Sequence, residues 1–168
     1  IAVSRRVARR IARRPLVRVA SPGYLRAHGA PRQVADLAQH DLLGVRLPGG
    51  GDIPWRFRRA SGRGATVLSV PARLWLSDPE ALIDLALEHA GIAQVGLHHA
   101  MPLLRAGRLK AVLTDWHDAG NREIVLHYPH RQYLAPRVRV TVDALLAGLA
   151  NNQDLHATRA ALPEAWRA

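Results

Sequence analysis

The sequence predicts an α/β protein with parallel strands in its sheet, and three observations carry that prediction. Residues 72–95 read as strand, capped helix and strand, the crossover from which parallel sheets are built. Short apolar runs at 16–20, 42–47, 109–113 and 124–128 recur between stretches with helical spacing. The chain has 168 residues, 48% of them hydrophobic, and no cysteine, so a core must form without disulfides or thiolate–metal staples.

Residues 1–14 carry six arginines, with Val3, Val7 and Ile11 recurring every four residues. A basic amphipathic helix and an extended edge segment both fit, and Pro15 ends either one. Leu16 to Ala20 is a strand, rich in β-branched residues. Ser21 as cap and Pro22 at the first helical position start a short helix, which Gly29-Ala30-Pro31 breaks. Val34 to Ala38 is a second short helix, and Leu42 to Leu47 a strand. The glycines at 49–51 lack the Gly-Lys-Ser/Thr and following helix of a phosphate cradle. Trp55-Arg56-Phe57-Arg58-Arg59 alternates as a half-buried strand does, and Ser61 to Gly64 is a hairpin turn. Val67 to Leu76 reads as one returning strand interrupted by Pro71.

The central helix starts with a Ser77–Glu80 capping box or with Asp78 followed by Pro79. Leu82, Leu85, Ala86 and His89 share one face, and Gly91 is expected to take the left-handed conformation that ends the helix. A short strand, Ile92 to Val95, follows, then a helix over 98–104 and a strand over 109–113. Residues 114–121 form a polar connection, 124–128 a strand and 129–134 a loop. Pro136 to Leu149 is a long amphipathic helix carrying Val138, Val142, Leu145 and Leu146. Residues 151–168 lose the pattern and are expected to fray.

The formal charge of +11 raises nucleic acid as a partner. Lys110 is the only lysine, however, so the surplus is arginine spread along the chain rather than a mixed basic cluster. No apolar run is long enough for a membrane span, and Arg5 to Arg14 interrupt every stretch that might resemble a signal peptide, so an intracellular, cytoplasmic chain with no membrane partner is expected. His98-His99 is adjacent rather than i, i+4, and neither His-Glu-x-x-His nor Gly-x-Ser-x-Gly occurs. No metal site, cofactor or catalytic set is therefore expected.

Six segments, in this order, resemble those of the LysR-type transcriptional regulators. Val19 to Gly29 is similar to "ASPxYLxxHG", and Asp36-Leu37-Ala38-Gln39-His40-Asp41 to "DLxxHxC/L". Trp55-Arg56-Phe57 matches "WxF", and Asp78 to Leu87 with Gly91-Ile92-Ala93 resembles "NDxEALLxAALAGxGIA". Gly107-Arg108-Leu109 with Leu113 to Trp116 matches "AGRLxxxLxDW", and Tyr128-Pro129 with Pro136 to Arg139 matches "YPxxRxLxPRVRxFVDFL". Val95-Gly96 departs from the apolar residue and proline usual after Gly-Ile-Ala-x, and Asn121-Arg122 from a proline-rich hinge run.

The resemblance implies an α/β, type 2 periplasmic-binding-protein-like lobe, a mixed sheet flanked by helices, with an incomplete second lobe. Residues 1–20 would be the end of effector subdomain I and the first crossover, 21–114 subdomain II, 115–150 the second crossover and return, and 151–168 a tail. It implies a small-molecule effector, acidic or aromatic, held between the lobes, and a homo-oligomer that contacts DNA only through a winged helix-turn-helix outside these residues. With half of subdomain I missing, apolar surface is expected to show on the 136–149 helix. The expected effector-binding residues are Ser21, Gly23 and Tyr24, at a helix start that can hold a carboxylate, and Ala93, Gln94, Val95 and Gly96, at a strand end facing the cleft. Ser21 acting only as a cap, and Gln94 as a buried structural amide, are the competing readings. The alternative from another class is a stand-alone basic nucleic-acid-binding protein that uses the arginine-rich arm and stacks bases on Trp55 and Phe57.

Overall fold

In the computed structural model, residues 6–58, 64–69, 71–118, 122–129, 135–158 and 162–168 are described. Nine strands and four α-helices are found among them: β1 (Arg6–Arg13), β2 (Leu16–Ala20), α1 (Pro22–His28), β3 (Leu42–Val45), β4 (Trp55–Arg58), β5 (Ala65–Leu68), β6 (Leu74–Leu76), α2 (Pro79–Leu87), β7 (Ile92–Gly96), α3 (Leu97–Arg105), β8 (Lys110–Val112), β9 (Glu123–Pro129) and α4 (Pro136–Ala150). The segment Val34–Gln39 is a 3-10 turn rather than a full helix.

A five-stranded mixed sheet, in the order β6-β3-β7-β2-β8, organises the lobe. β6, β3 and β7 run parallel, with α2 as the crossover; β2 is antiparallel to both its neighbours. Alternation along each strand sends side chains to opposite faces. Val17 and Val19 of β2 and Ala93 and Val95 of β7 face Leu82 and Ala86 of α2 and Met101 and Leu104 of α3. On the opposite face Ala20 and Ile92 meet Tyr24, Leu37, Trp55 and Phe57. That second cover comes from α1, the 3-10 turn and the β4–β5 hairpin, in which Trp55 and Phe57 point inward while Arg56 and Arg58 stay exposed.

Several expectations meet a different structure. Of the two forms expected for the arginine-rich start, the extended one is found as β1, which pairs antiparallel with β9 from Arg6↔Pro129 to Arg13↔Glu123. The run 67–76 is two strands in two sheets: the chain leaves β5 before Pro71, which has no N–H for a ladder, and re-enters the main sheet as β6. The hairpin turn at 61–64 lies outside the described residues apart from Gly64, as does the loop at 130–134. Of the two starts expected for α2, the Asp78–Pro79 one is used: the Asp78 carboxylate accepts from the Glu80 N–H at 2.8 Å with Pro79 next in the chain. His89 lies beyond the helix rather than on its face and itself takes the left-handed conformation, φ 62°. Gly91 instead adopts φ 151° where the chain passes Asp41, whose carbonyl carbon would lie 3.0 Å from any Cβ there.

The described residues of the tail, 151–158 and 162–168, include docked ones where fraying was expected. Leu155 and Leu162 are buried, Trp166 packs on the helix-covered core, and Arg167 forms a parallel bridge to Ala111. The Ala168 N–H donates to the Ala111 carbonyl at 3.0 Å, and Lys110 donates to the Ala165 carbonyl. β8 is an edge strand with backbone groups to offer, and isolated apolar residues suffice to dock there without any period that sequence reading detects. Apolar exposure does occur on α4 and its strand partners, at Val140 (69%), Leu145 (47%) and Val125 (36%).

Candidate functional site

The seven residues expected to bind an effector fall in separate places. β2 and β7 are antiparallel, with Leu16 opposite Gly96 and Val19 opposite Ala93. Ser21 therefore lies at one end of the strand pair and Gly96 at the other, roughly 15 Å apart at ~3.3 Å per residue. Ser21 is buried, accepts from the Tyr24 N–H at 3.3 Å as the cap of α1, and is hydrogen-bonded to His89 Nδ1 at 2.6 Å. A hydroxyl that accepts from Tyr24 and donates to Nδ1 satisfies both contacts. The His89 ring also lies over Gly23, where an added Cβ would come within 2.9 Å of Nδ1. Tyr24 is buried; its hydroxyl accepts from the Asp41 N–H at 2.9 Å and bonds His40 at 3.2 Å, while its ring stacks on His28. Ala93 and Val95 belong to the helix-covered core.

Gln94 belongs to a polar island on the other face, and the centre of that island is a residue the sequence reading passed over, Arg18. Its guanidinium is buried (1% exposed) on β2, directly opposite Gln94. It donates from Nη2 to Gln94 Oε1 at 3.2 Å and to the Arg56 carbonyl, and from Nη1 to His117 Nδ1 at 2.7 Å. Because a guanidinium only donates, Nδ1 of His117 is the accepting nitrogen. The Gln94 amide in turn donates to the Pro54 carbonyl at 3.3 Å. The cation stands 4.1 Å from the Phe57 ring and 5.9 Å from that of Trp55. Burial pulls the guanidinium down to about 9, with Asp118 opposing. The contacts to His117, Gln94, Arg56 and Phe57 offset a desolvation cost that an unpaired buried cation would bear in full. One donor stays unmet: Arg18 Nε is buried without a partner.

Beside this island lies a cavity of about 10 Å³, on the order of one water. Arg18, Thr114 and His117 are its polar lining, and Leu16, Val17, Leu97, Val112 and Leu162 of the tail its apolar one. It sits at the Leu16 end of β2, the end where β1 and β9 leave the sheet. There the Arg14 N–H donates to the Arg122 carbonyl at 2.8 Å, and the Leu97 N–H, at the start of α3, donates to the Pro15 carbonyl at 2.9 Å. His98 shares this end; burial, then His99 and Arg14, lower its imidazole to about 4. Gly96 is the only one of the seven expected residues at this end. A charged residue in the middle of an otherwise apolar strand, as Arg18 is between Val17 and Val19, was the signal available in the sequence. His117 and Leu162 gave none, since tertiary folding alone brings them to β2.

Trp55 and Phe57 are each 1% exposed, so the stacking platform expected of a nucleic-acid-binding arm does not exist. Among the described residues no group of three or more His, Asp or Glu is placed to hold a metal, and no helix is long and apolar enough to cross a membrane.

Comparison with known proteins gives this arrangement a family. The model of the LysR substrate binding domain matches residues 2–150. A putative transcriptional regulator of Pseudomonas aeruginosa is 34% identical over 128 residues, which is 76% of this chain and 41% of that protein. The uncharacterized HTH-type transcriptional regulator YcaN of Escherichia coli is 30% identical over 129 residues, 77% of this chain and 41% of that protein. The full-length structure of the Vibrio cholerae virulence activator AphB superposes with a TM-score of 0.73 at 28% identity, covering 88% of this chain and 49% of AphB. The regulatory domain of CrgA from Neisseria meningitidis shares the fold, with a TM-score of 0.77 at 24% identity over 89% of this chain and 72% of that domain. The chain thus spans about two fifths of the length of the curated relatives it matches, and its type 2 periplasmic-binding-protein-like architecture is that of LysR regulatory domains. On the match over residues 2–150, the chain belongs to the LysR substrate-binding-domain family.

Proposed function

We propose that this chain is the effector-sensing part of a cytoplasmic LysR-type regulator, a non-catalytic module that binds a small acidic or aromatic molecule between two lobes. Residues 21–114 form the distal lobe in this reading, and 1–20 and 115–150 the crossovers and return to the other. The observation that supports it best is the β1–β9 ribbon. The chain enters the main sheet from β1 and leaves it towards β9, and these two strands pair with each other. Two adjacent strands that carry the chain into and out of the sheet form a hinge, and the tail that returns from α4 to β8 is the third crossing. A ligand that prefers one hinge angle shifts the population toward it, and its differential affinity sets the size of the shift. In the regulator, hinge angle would alter how a dimer grips DNA. Exposed Val125, Val140 and Leu145 supply apolar surface for assembly with a second copy.

The test is a panel of small carboxylates and aromatics titrated into the chain, followed by amide chemical shifts. Saturable shifts that include residues 14–16, 96–98, 114–118 and 122, where the ribbon meets the sheet, are expected. Shifts only at exposed positions of α4, or none with any compound, would reject the reading. A mobility-shift assay is expected to show no sequence-selective DNA binding by these residues; tight, salt-resistant, selective binding would reject it too.

A further inference from the structure

We propose that the Arg18 cavity is a binding site for a short, branched aliphatic carboxylate, and that the C-terminal segment competes for it by keeping Leu162 in its lining. The proposal rests on the effector-sensing reading and names a ligand class and a regulating element for it. Four observations converge. Arg18 is buried and lines the cavity, and its Nε–H is a buried donor on a cation with no hydrogen-bond partner. A carboxylate is the group that both accepts from a guanidinium and balances its charge. Thr114 also lines the cavity, and its side chain carries a hydroxyl. The facing wall of Leu16, Leu97 and Val112 is aliphatic, which favours a hydrocarbon tail over a second charge or a sugar.

Size decides the mechanism. At about 10 Å³ the cavity admits nothing larger than a water, so a carboxylate enters only if a lining group leaves. Leu162 is the lining residue that can leave without unfolding the sheet. It belongs to residues 151–168, beyond the stretch that the family match covers. Its segment is held by the Arg167 bridge to Ala111, the Ala168 N–H to the Ala111 carbonyl, and Lys110 to the Ala165 carbonyl, all on the edge strand β8. Contacts of this kind, at a terminus and on an edge, open at low cost compared with the core. The isobutyl group that departs has the size and branching of the hydrocarbon part of isovalerate. A ligand of that shape refills the apolar wall and adds an acceptor for the Arg18 Nε–H, which has no hydrogen-bond partner.

The probe is therefore isovalerate, with isovaleramide as its uncharged isostere, titrated by NMR into the full chain and into Leu162→Ala. Expected is saturable binding at least tenfold tighter in Leu162→Ala than in the parent, with isovaleramide binding at least tenfold more weakly than isovalerate. In the parent, the Ala111 and Ala168 amides move together with Arg18 Nε as the tail is displaced. The amide control tests the need for charge without altering the buried network, and Arg18→Met, checked for folding by circular dichroism, is expected to abolish the preference for the acid. Equal affinity of parent and Leu162→Ala, or equal binding of acid and amide, overturns the proposal. If the carboxylate panel moves residues 96–98 while isovalerate leaves Leu162→Ala unshifted, the Arg18 site is overturned and effector sensing stands.

Discussion

Replacing Gly91 by alanine tests the geometry on which the start of β7, and with it the placement of Gln94, depends. Two costs combine there. The backbone has φ 151°, a conformation that L side chains rarely adopt, and such residues cost roughly 1–3 kcal/mol. The added Cβ would also lie 3.0 Å from the carbonyl carbon of Asp41 and nearer still to its oxygen. That neighbour is main chain, and its carbonyl accepts from the Ile92 N–H at 2.8 Å, so it cannot swing aside as a side chain would. Moving it breaks the bond that aligns β7, a loss of about 1 kcal/mol. Together these put Gly91→Ala at about 3 kcal/mol or more. Gly107→Ala is the control: its φ of 67° carries the left-handed penalty of roughly 1–2 kcal/mol, but nothing lies within 4 Å of the new Cβ. Urea denaturation of both variants, followed by tryptophan fluorescence, measures the difference. Expected is a gap of at least ~1.5 kcal/mol, with an unchanged denaturant slope. Equal losses in the two variants would refute the claim that the Asp41 backbone is immovable.

Lowering the pH from 7 to 4 is expected to destabilise the parent more than a His98→Gln variant. The His98 imidazole falls from its ordinary value to about 4 in the folded chain, so between about 6.5 and 4 the unfolded state binds a proton the native state does not, and stability drops as pH falls through that window. The ring is partly open to solvent, so a full conversion of the shift overstates it; about 1–2 kcal/mol by pH 4 is expected, read from urea midpoints, and parallel pH profiles would contradict it. Ser21→Ala is expected to cost about 1 kcal/mol from the lost α1 cap, measured by thermal unfolding, and a neutral outcome would mean that His89 alone seals that end. Val140→Lys with Leu145→Lys is expected to reduce concentration-dependent association in light scattering without loss of helix, since both side chains are exposed on α4.

What could be read from the sequence divides along a physical line. Local signals held where the chain makes its own structure. Asp78-Pro79 starts α2, Ser21-Pro22 starts α1, and the alternation at Trp55 and Phe57 buries one face of β4. What local signals could not supply was which way two elements run relative to each other. Ser21 and Gly96 were grouped because each sits at a strand terminus, but in an antiparallel pair the end of one strand lies beside the start of the other, so the two are carried apart. The same pairing sets Arg18 against Gln94, and neither residue signals that in its own neighbourhood. The tail shows the converse limit: Leu162 and Trp166 follow no period, so no element is predicted, yet both pack on the helix-covered core where the segment docks at the β8 edge. A single buried leucine on an irregular segment is a weak fold signal and a strong functional one. Irregular backbone held by a few edge contacts is what a sensor can release at small cost when a ligand takes the leucine's place.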